Sequence, residues 1–181
     1  FDLAFKYRTP SMIIADGIIG QMMEKVILPP YRPRRTNDEI RQQCPWATLG
    51  KPDNRERNVT TSLALEAEEM ERTNLRLQAK YKEICENEVR FEAVNCDDAD
   101  FVLIAFGSIA RVCMSAMEIG RKEGLKIGVL RPITLYPFPT LKIQELAKKA
   151  KGILTVELSA GQMVEDVRLA VNGSIPVEFY G

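Results

Sequence analysis

The clearest hydrophobic pattern lies in the C-terminal half of the chain, where short apolar runs alternate with amphipathic stretches. Four apolar runs, the first being ADFVLIAFGS, predict strands, and the continuous first run is typical of a strand buried on both faces. Three intervening stretches place apolar residues at helical spacing and predict helices. Such alternation implies right-handed crossovers between parallel strands. Residues 97–181 are therefore predicted to form an α/β domain with a parallel-rich sheet between two helical layers.

The first 96 residues show a weaker pattern that divides into three parts. Residues 1–28 read as a helix end broken at Pro10, followed by a short buried strand in SMIIADG. Residues 29–62 read as a linker, because repeated prolines prevent regular structure. The pattern of residues 63–91 predicts a long helix with one apolar stripe, whose other faces are charged. Such a helix lies on a surface or bridges two domains.

Composition and charge exclude several classes of function. Lys plus Arg and Asp plus Glu both number 25, so no net charge favours nucleic acid or an anionic membrane surface. No apolar run reaches the length of a membrane span, and no signal peptide opens the chain. The chain begins with Phe1, and we expect it to be a fragment or a processed piece of something larger.

The residues available for catalysis are restricted. The chain has no histidine, which removes Ser-His-Asp and Cys-His nucleophile systems and the usual zinc sites. Its four cysteines form no CxxC pair and match no zinc or iron–sulfur spacing. We expect reduced thiols, and no metal bound by this chain.

The candidate ligand-facing residues lie where predicted parallel strands end, because ligands bind at that edge of such sheets. Free amides at the following helix N-termini attract anions. The candidates are Gly107, Ser108, Arg131, Ser159, Gly161 and Gln162. No GxGxxG or GxxxxGK[ST] motif is present, so neither a dinucleotide fold nor a P-loop is supported. The alternative interpretation is structural: the glycines permit the turns and the serines cap the helices.

Two carboxylates are placed by the same pattern. Glu157 ends a buried strand and needs a partner. Arg131 at a neighbouring strand end is the expected one, which favours a structural salt bridge over general-base catalysis. Asp16 is expected to cap the turn at Gly17, with a site shared with an upstream region as the alternative.

Several strings resemble the alpha subunit of 2-oxoacid:ferredoxin oxidoreductases. They are FDLAFKYRTPSMIIADGIIGQMME, ADFVLIAFGSIARV, GVLRPITLYPFP, VELSAGQMVEDVRLAVNG and PVEFYG. The form ADGIIGQMME is most similar to the branched-chain type, which acts on 3-methyl-2-oxobutanoate (2-oxoisovalerate). The resemblance covers most of the chain, with residues 29–95 least diagnostic.

The resemblance implies a cytoplasmic complex with beta and gamma or delta iron–sulfur subunits and ferredoxin as electron acceptor. It implies thiamine diphosphate, magnesium, coenzyme A and [4Fe–4S] clusters in the whole complex, with none bound to this piece. Residues 1–28 would then end a pyrimidine-binding domain. Residues 29–96 would be a linker and bridging helix, and residues 97–181 a domain resembling the transketolase C-terminal domain. No catalytic residue of the family maps onto this chain, so we expect it to be inactive alone.

Three alternatives stay open at this point. The 2-oxoglutarate and pyruvate enzymes of the same family are near relatives of the branched-chain type. A corresponding region of another thiamine enzyme is a second possibility. A purely structural domain that makes subunit contacts and holds no ligand is the alternative from a different class.

Overall fold

The computed structural model describes residues 1–181, which divide into two compact units. One unit contains residues 1–22 and 76–181, and the other contains residues 23–75. No helix in the chain combines the length and the apolar character that crossing a membrane requires.

A five-stranded mixed sheet organises the larger unit. Its strands are β1 (Phe91–Val94), β2 (Phe101–Ile104), β3 (Ile127–Pro132), β4 (Gly152–Val156) and β5 (Val177–Tyr180), in the order β1-β3-β2-β4-β5. The last four are parallel, as the alternating pattern predicts, while β1 runs antiparallel to β3. The prediction of a single helix over residues 63–91 is therefore wrong at its end, where Phe91 already pairs with Pro132.

Three helices cover the two faces of the sheet. They are α4 (Gly107–Lys122), α5 (Thr140–Ala147) and α6 (Met163–Val171), counted after three earlier helices. On one face α4 buries Ala110, Cys113 and Met117 against strand residues that include Val129. On the other face α5 and α6 bury residues that include Ile143 and Val167 against residues of β2, β3 and β4. The predicted three-layer α/β/α arrangement is confirmed.

The N-terminal part of this unit contains α1 (Asp2–Tyr7) and a short 3₁₀ turn at Ile19–Gln21. The helix ends before Pro10, as predicted. The strand predicted in SMIIADG is absent, and Met12 and Ile13 are 84% and 95% exposed. A strand needs a neighbour for its backbone N–H and C=O groups, and β-forming side chains alone do not supply one.

The smaller unit contains a helix inside the predicted linker. Helix α2 (Asn37–Gln43) begins at a capping box, in which Thr36 and Glu39 bond each other's backbone and side chain. The prolines of the linker all lie outside this helix, so the prediction that they prevent regular structure is wrong for this stretch. Helix α3 (Ala67–Asn87) is shorter than predicted, and of its expected apolar stripe only Ile84 is buried.

Candidate functional site

The candidate site is the edge of the sheet where the parallel strands end. Strands β2 and β4 are neighbours, and the helices that follow them, α4 and α6, pack on opposite faces. This is a topological switch point, the place where open α/β sheets hold ligands. Five of the six candidate residues lie where β2 and β4 lead into these helices: Gly107 and Ser108 begin α4, and Ser159, Gly161 and Gln162 lie in the loop before α6. The sixth, Arg131, lies at the end of β3 on the other side of β2.

The corner after β2 is occupied by a carboxylate from a distant part of the chain. Asp16 Oδ2 accepts a hydrogen bond of 2.5 Å from the backbone N–H of Ser108. Hydrogen bonds from the Ser108 N–H and hydroxyl hold the pKa of Asp16 below its ordinary range. Gly107 has φ 66°, and a Cβ atom there would lie 2.5 Å from Asp16 Oδ2. Glycine at this position therefore permits both the backbone turn and the approach of Asp16.

The corner after β4 is occupied by a carboxylate of its own turn. Glu157 is 5% exposed and accepts backbone N–H bonds from Gln162 at 3.2 Å, Met163 at 3.0 Å and Val164 at 2.9 Å. The Ser159 hydroxyl donates to the same carboxylate at 3.2 Å. The first free amides of α6 are thus satisfied by Glu157, whose charge also suits the helix dipole.

Gly161 gives this turn its shape. Its φ is 102°, and a Cβ atom there would lie 3.1 Å from Val164 Cγ1. Its backbone N–H donates a hydrogen bond to Ser159 Oγ, with the two heavy atoms 3.4 Å apart. The prediction that this glycine permits the strand-to-helix turn agrees with this geometry.

Two expectations about polar partners are wrong. Neither Ser108 nor Ser159 caps a helix, since the side chains that receive the amides are Asp16 and Glu157. Arg131 does not pair with Glu157 and instead donates to Glu92 on β1 at 2.9 Å. The reason is the two-residue alternation of strands. Arg131 is in phase with residues that face α4, while Glu157 is in phase with residues that face α5 and α6.

The residues at these corners do not fit a phosphate group. A phosphate at the start of α4 would lie beside Asp16, which already accepts the Ser108 amide, and one at the start of α6 would lie beside Glu157, which accepts three amides. Two anions at one helix end repel each other and compete for the same donors.

The chain's side chains also do not fit a metal or an iron–sulfur cluster. No group of three or more His, Cys, Asp or Glu side chains is arranged to bind a metal ion. The four cysteines are free, with Cys85 exposed and the other three buried. Burial raises the pKa of the Cys96 and Cys113 thiols, which makes them poor thiolate ligands.

A second polar cluster joins α1 to the end of α3. Glu88 Oε1 accepts from Lys6 Nζ and from the Tyr7 hydroxyl, each at 2.7 Å, and Arg90 approaches the other oxygen at 3.5 Å. The hydrogen bond from Lys6, followed by that from Tyr7, lowers the pKa of Glu88. The sequence pattern does not reveal this cluster, because more than 80 residues separate Lys6 and Tyr7 from Glu88 and no local signal marks either part.

Comparison with known proteins identifies the family. A family model described as pyruvate:ferredoxin oxidoreductase core domain II matches residues 99–181. The ketoisovalerate oxidoreductase subunit VorB of Methanothermobacter thermautotrophicus is 45% identical over 172 residues, which cover 94% of this chain. The chain belongs to the 2-oxoacid:ferredoxin oxidoreductase family. The family inferred from the sequence motifs is thereby confirmed.

Other relatives within the 2-oxoacid:ferredoxin oxidoreductase family are more distant. The 2-oxoglutarate synthase subunit KorA of Archaeoglobus fulgidus is 29% identical over 170 residues, or 92% of this chain. The chain spans about half the length of these curated relatives, 47% in each case. Their subunits are named VorB and KorA, and the designation of this chain as an alpha subunit stays a prediction.

A solved structure supports the fold of this 2-oxoacid:ferredoxin oxidoreductase chain. The 2-oxoglutarate:ferredoxin oxidoreductase of Magnetococcus marinus, solved with 2-oxoglutarate, coenzyme A and succinyl-CoA bound, gives a TM-score of 0.56. The match has 22% identity and covers 65% of this chain and 21% of that chain. At this level of identity the likeness shows the α/β fold alone.

Proposed function

We propose that this chain is part of the alpha subunit of a thiamine-diphosphate-dependent, branched-chain 2-oxoacid:ferredoxin oxidoreductase. The enzyme would convert a 2-oxoacid and coenzyme A to acyl-CoA and carbon dioxide and pass the electrons to ferredoxin. The observation that carries the proposal is the 45% identity to a ketoisovalerate oxidoreductase subunit over 94% of the chain. The 2-oxoglutarate KorA relative, at 29% over 92%, supports that substrate less well.

Within that enzyme, we propose a supporting role for this chain. A carboxylate accepts backbone amides at both helix N-termini of the switch point, one amide at α4 and three at α6, and no cluster of side chains suits a metal. Magnesium, the diphosphate of the cofactor, coenzyme A and the [4Fe–4S] clusters would therefore be held by other parts of a cytoplasmic complex. Residues 97–181 would make subunit contacts and shape the floor of the active site. The chain alone would not turn over substrate.

The proposed domain assignment follows from the same role. Residues 1–28 would close a pyrimidine-binding domain, residues 29–96 would connect the two domains, and residues 97–181 would resemble the transketolase C-terminal domain. The family model, which begins at residue 99, supports the last of these boundaries.

The test is anaerobic viologen reduction by a reconstituted complex of the full-length parent chain and its partner subunits. Thiamine diphosphate, magnesium and coenzyme A are supplied, and 2-oxoisovalerate, 2-oxoglutarate and pyruvate are compared by kcat/KM. A preference for 2-oxoisovalerate is expected. Preference for another acid would replace the substrate and keep the family, and no reduction by an assembled complex would overturn the activity.

The purely structural alternative is supported by one specific observation, the occupation of both helix N-termini by Asp16 and Glu157. An experiment on the same reconstituted complex distinguishes this alternative from the enzyme proposal. If removing residues 97–181 abolishes assembly and leaves the remaining subunits able to bind coenzyme A, this region serves assembly alone.

A further inference from the structure

The two carboxylates at the switch point are held in different ways. Glu157 lies five residues before Gln162, is 5% exposed and receives three backbone amides of the turn that contains it. Asp16 lies 92 residues before Ser108 and is only partly buried. One cap is built into the fold of α6, and the other is brought to α4 by a separate segment.

That separate segment, residues 9–22, has few other attachments. It contains no strand, and its apolar side chains at Met12, Ile13, Ile14 and Ile18 are 57% to 95% exposed. The Asp16 backbone oxygen accepts the N–H of Ile19 at 3.1 Å, which closes the turn that leads into the 3₁₀ helix at Ile19–Gln21. Asp16 therefore caps α4 with its side chain and starts this turn with its backbone.

The helix before the segment is anchored independently. In α1, Lys6 and Tyr7 both donate to Glu88, and Tyr7 is 6% exposed. The chain then leaves α1 at Arg8, which has φ 45°, and passes Pro10. Movement of the segment beyond this point would leave α1 in place.

We propose that Asp16 is a releasable latch, which docks residues 9–22 on the start of α4 and detaches without unfolding the sheet. The docked position of Asp16 requires glycine at position 107, because any Cβ there would lie 2.5 Å from Asp16 Oδ2. Gly124 is a natural control: its φ is 88°, but a Cβ there would meet nothing within 4 Å. The inference does not depend on the proposed activity, since every measurement is made on the chain itself.

The test is amide hydrogen exchange, measured by NMR on the 181-residue chain. In Asp16→Ala, the Ser108 amide should exchange roughly tenfold faster or more, because a charge-assisted hydrogen bond is lost. The Ile19 amide should accelerate as well, since its turn is no longer fixed. The amide of Val164, bonded to Glu157, opens independently of Asp16 and should keep its wild-type rate. In the wild type, Ser108 and Ile19 should already exchange faster than Ile104 in β2, because Asp16 detaches without unfolding of the sheet.

Gly107→Ala tests the same latch with the carboxylate present. It should accelerate Ser108 and Ile19 exchange as Asp16→Ala does, while Gly124→Ala, with a similar backbone strain, should leave both amides unchanged. Unchanged Ser108 exchange in both Asp16→Ala and Gly107→Ala would overturn the proposal. Equal protection of Ser108 and Ile104 in the wild type would overturn it too, because Asp16 would then detach only when the sheet unfolds.

Discussion

Glu157 is a buried carboxylate whose hydrogen-bond donors all belong to its own strand-to-helix turn. Three are backbone amides and one is the Ser159 hydroxyl. Glu157→Ala leaves these amides without an acceptor and should lower the free energy of unfolding by about 2 kcal/mol. Urea denaturation followed by circular dichroism measures this. Glu165→Ala is the control, because Glu165 is exposed and pairs with Arg168 one turn away; an equal loss in both variants would contradict a capping role for Glu157.

Thr155 differs from Glu157 in that its buried polar group has no hydrogen-bond partner. Its Oγ1 is fully buried in β4 and has no hydrogen-bond partner in the protein. Thr155→Val removes this hydroxyl at nearly constant shape and should raise the free energy of unfolding by about 1 kcal/mol. Thr134→Val is the comparison, because the Thr134 hydroxyl donates to Pro137 O at 2.8 Å and accepts from Arg90 N–H at 2.9 Å. Urea midpoints should shift in opposite directions, and a loss of stability in Thr155→Val would count against the prediction.

At the residue scale, the sequence predicts where the site residues lie better than it predicts what they contact. The alternation of strands and helices places Gly107 and Ser159 at one edge of the sheet, as the structure has them. The partners do not follow from that alternation. Asp16 reaches Ser108 across 92 residues, and Arg131 turns to Glu92 on a strand that no pattern marked.

At the element scale, close contact between β3 and the turn after β1 depends on a glycine. A Cβ on Gly128 would lie 2.8 Å from the Asn95 backbone oxygen and 2.9 Å from Cys96 Cα, so backbone would have to move. Gly128→Ala should therefore lower the free energy of unfolding by about 1–3 kcal/mol.

Gly152→Ala provides the matched control in β4, another strand of the same sheet. The nearest atom to a Cβ there is in the Phe101 ring at 3.6 Å, an ordinary contact. The reduced freedom of the unfolded chain should offset small losses, leaving stability within about 1 kcal/mol of wild type. Thermal unfolding followed by circular dichroism compares the two variants. Similar melting temperatures would show that the backbone around Gly128 can move to accept a Cβ atom without loss of stability.

The elements also show why some were predicted and others missed. Strands β2 to β5 and helices α4 to α6 agree with the pattern because each buries side chains in one of the two cores, with β3 and β4 mostly buried and the edge strand β5 alternating. Strand β1 is four residues long and mostly exposed, so its apolar content does not separate it from the end of α3. Helix α2 depends on a capping box, a local signal outweighed by the surrounding prolines. The strand expected at residues 11–16 has the right side chains and no neighbour.

At the scale of the whole molecule, long-range contacts in the larger unit are carried by carboxylates with lowered pKa values. Hydrogen bonds from Ser108 lower the pKa of Asp16. Hydrogen bonds from Lys6 and Tyr7 lower the pKa of Glu88. A hydrogen bond from Arg121 lowers the pKa of Asp98. A carboxylate with a lowered folded pKa adds stability that is fully present above its unfolded pKa, which is about 4. That stability is lost as pH falls through the folded pKa.

Residues 1–22 should therefore be the part of the molecule most sensitive to acid, because the hydrogen bonds of Asp16 with Ser108 and of Glu88 with Lys6 and Tyr7 hold them to the rest of the larger unit. The wild-type urea midpoint should hold between pH 6 and 8 and fall below about pH 4. The double variant Asp16→Asn, Glu88→Gln should start from a lower midpoint at neutral pH and lose less on acidification. Asp53→Asn, at an exposed position in the smaller unit, should reproduce the wild-type curve. Parallel curves for the double variant and the wild type would mean that other carboxylates govern acid unfolding, since linkage requires the slope to change when groups with shifted pKa values are removed.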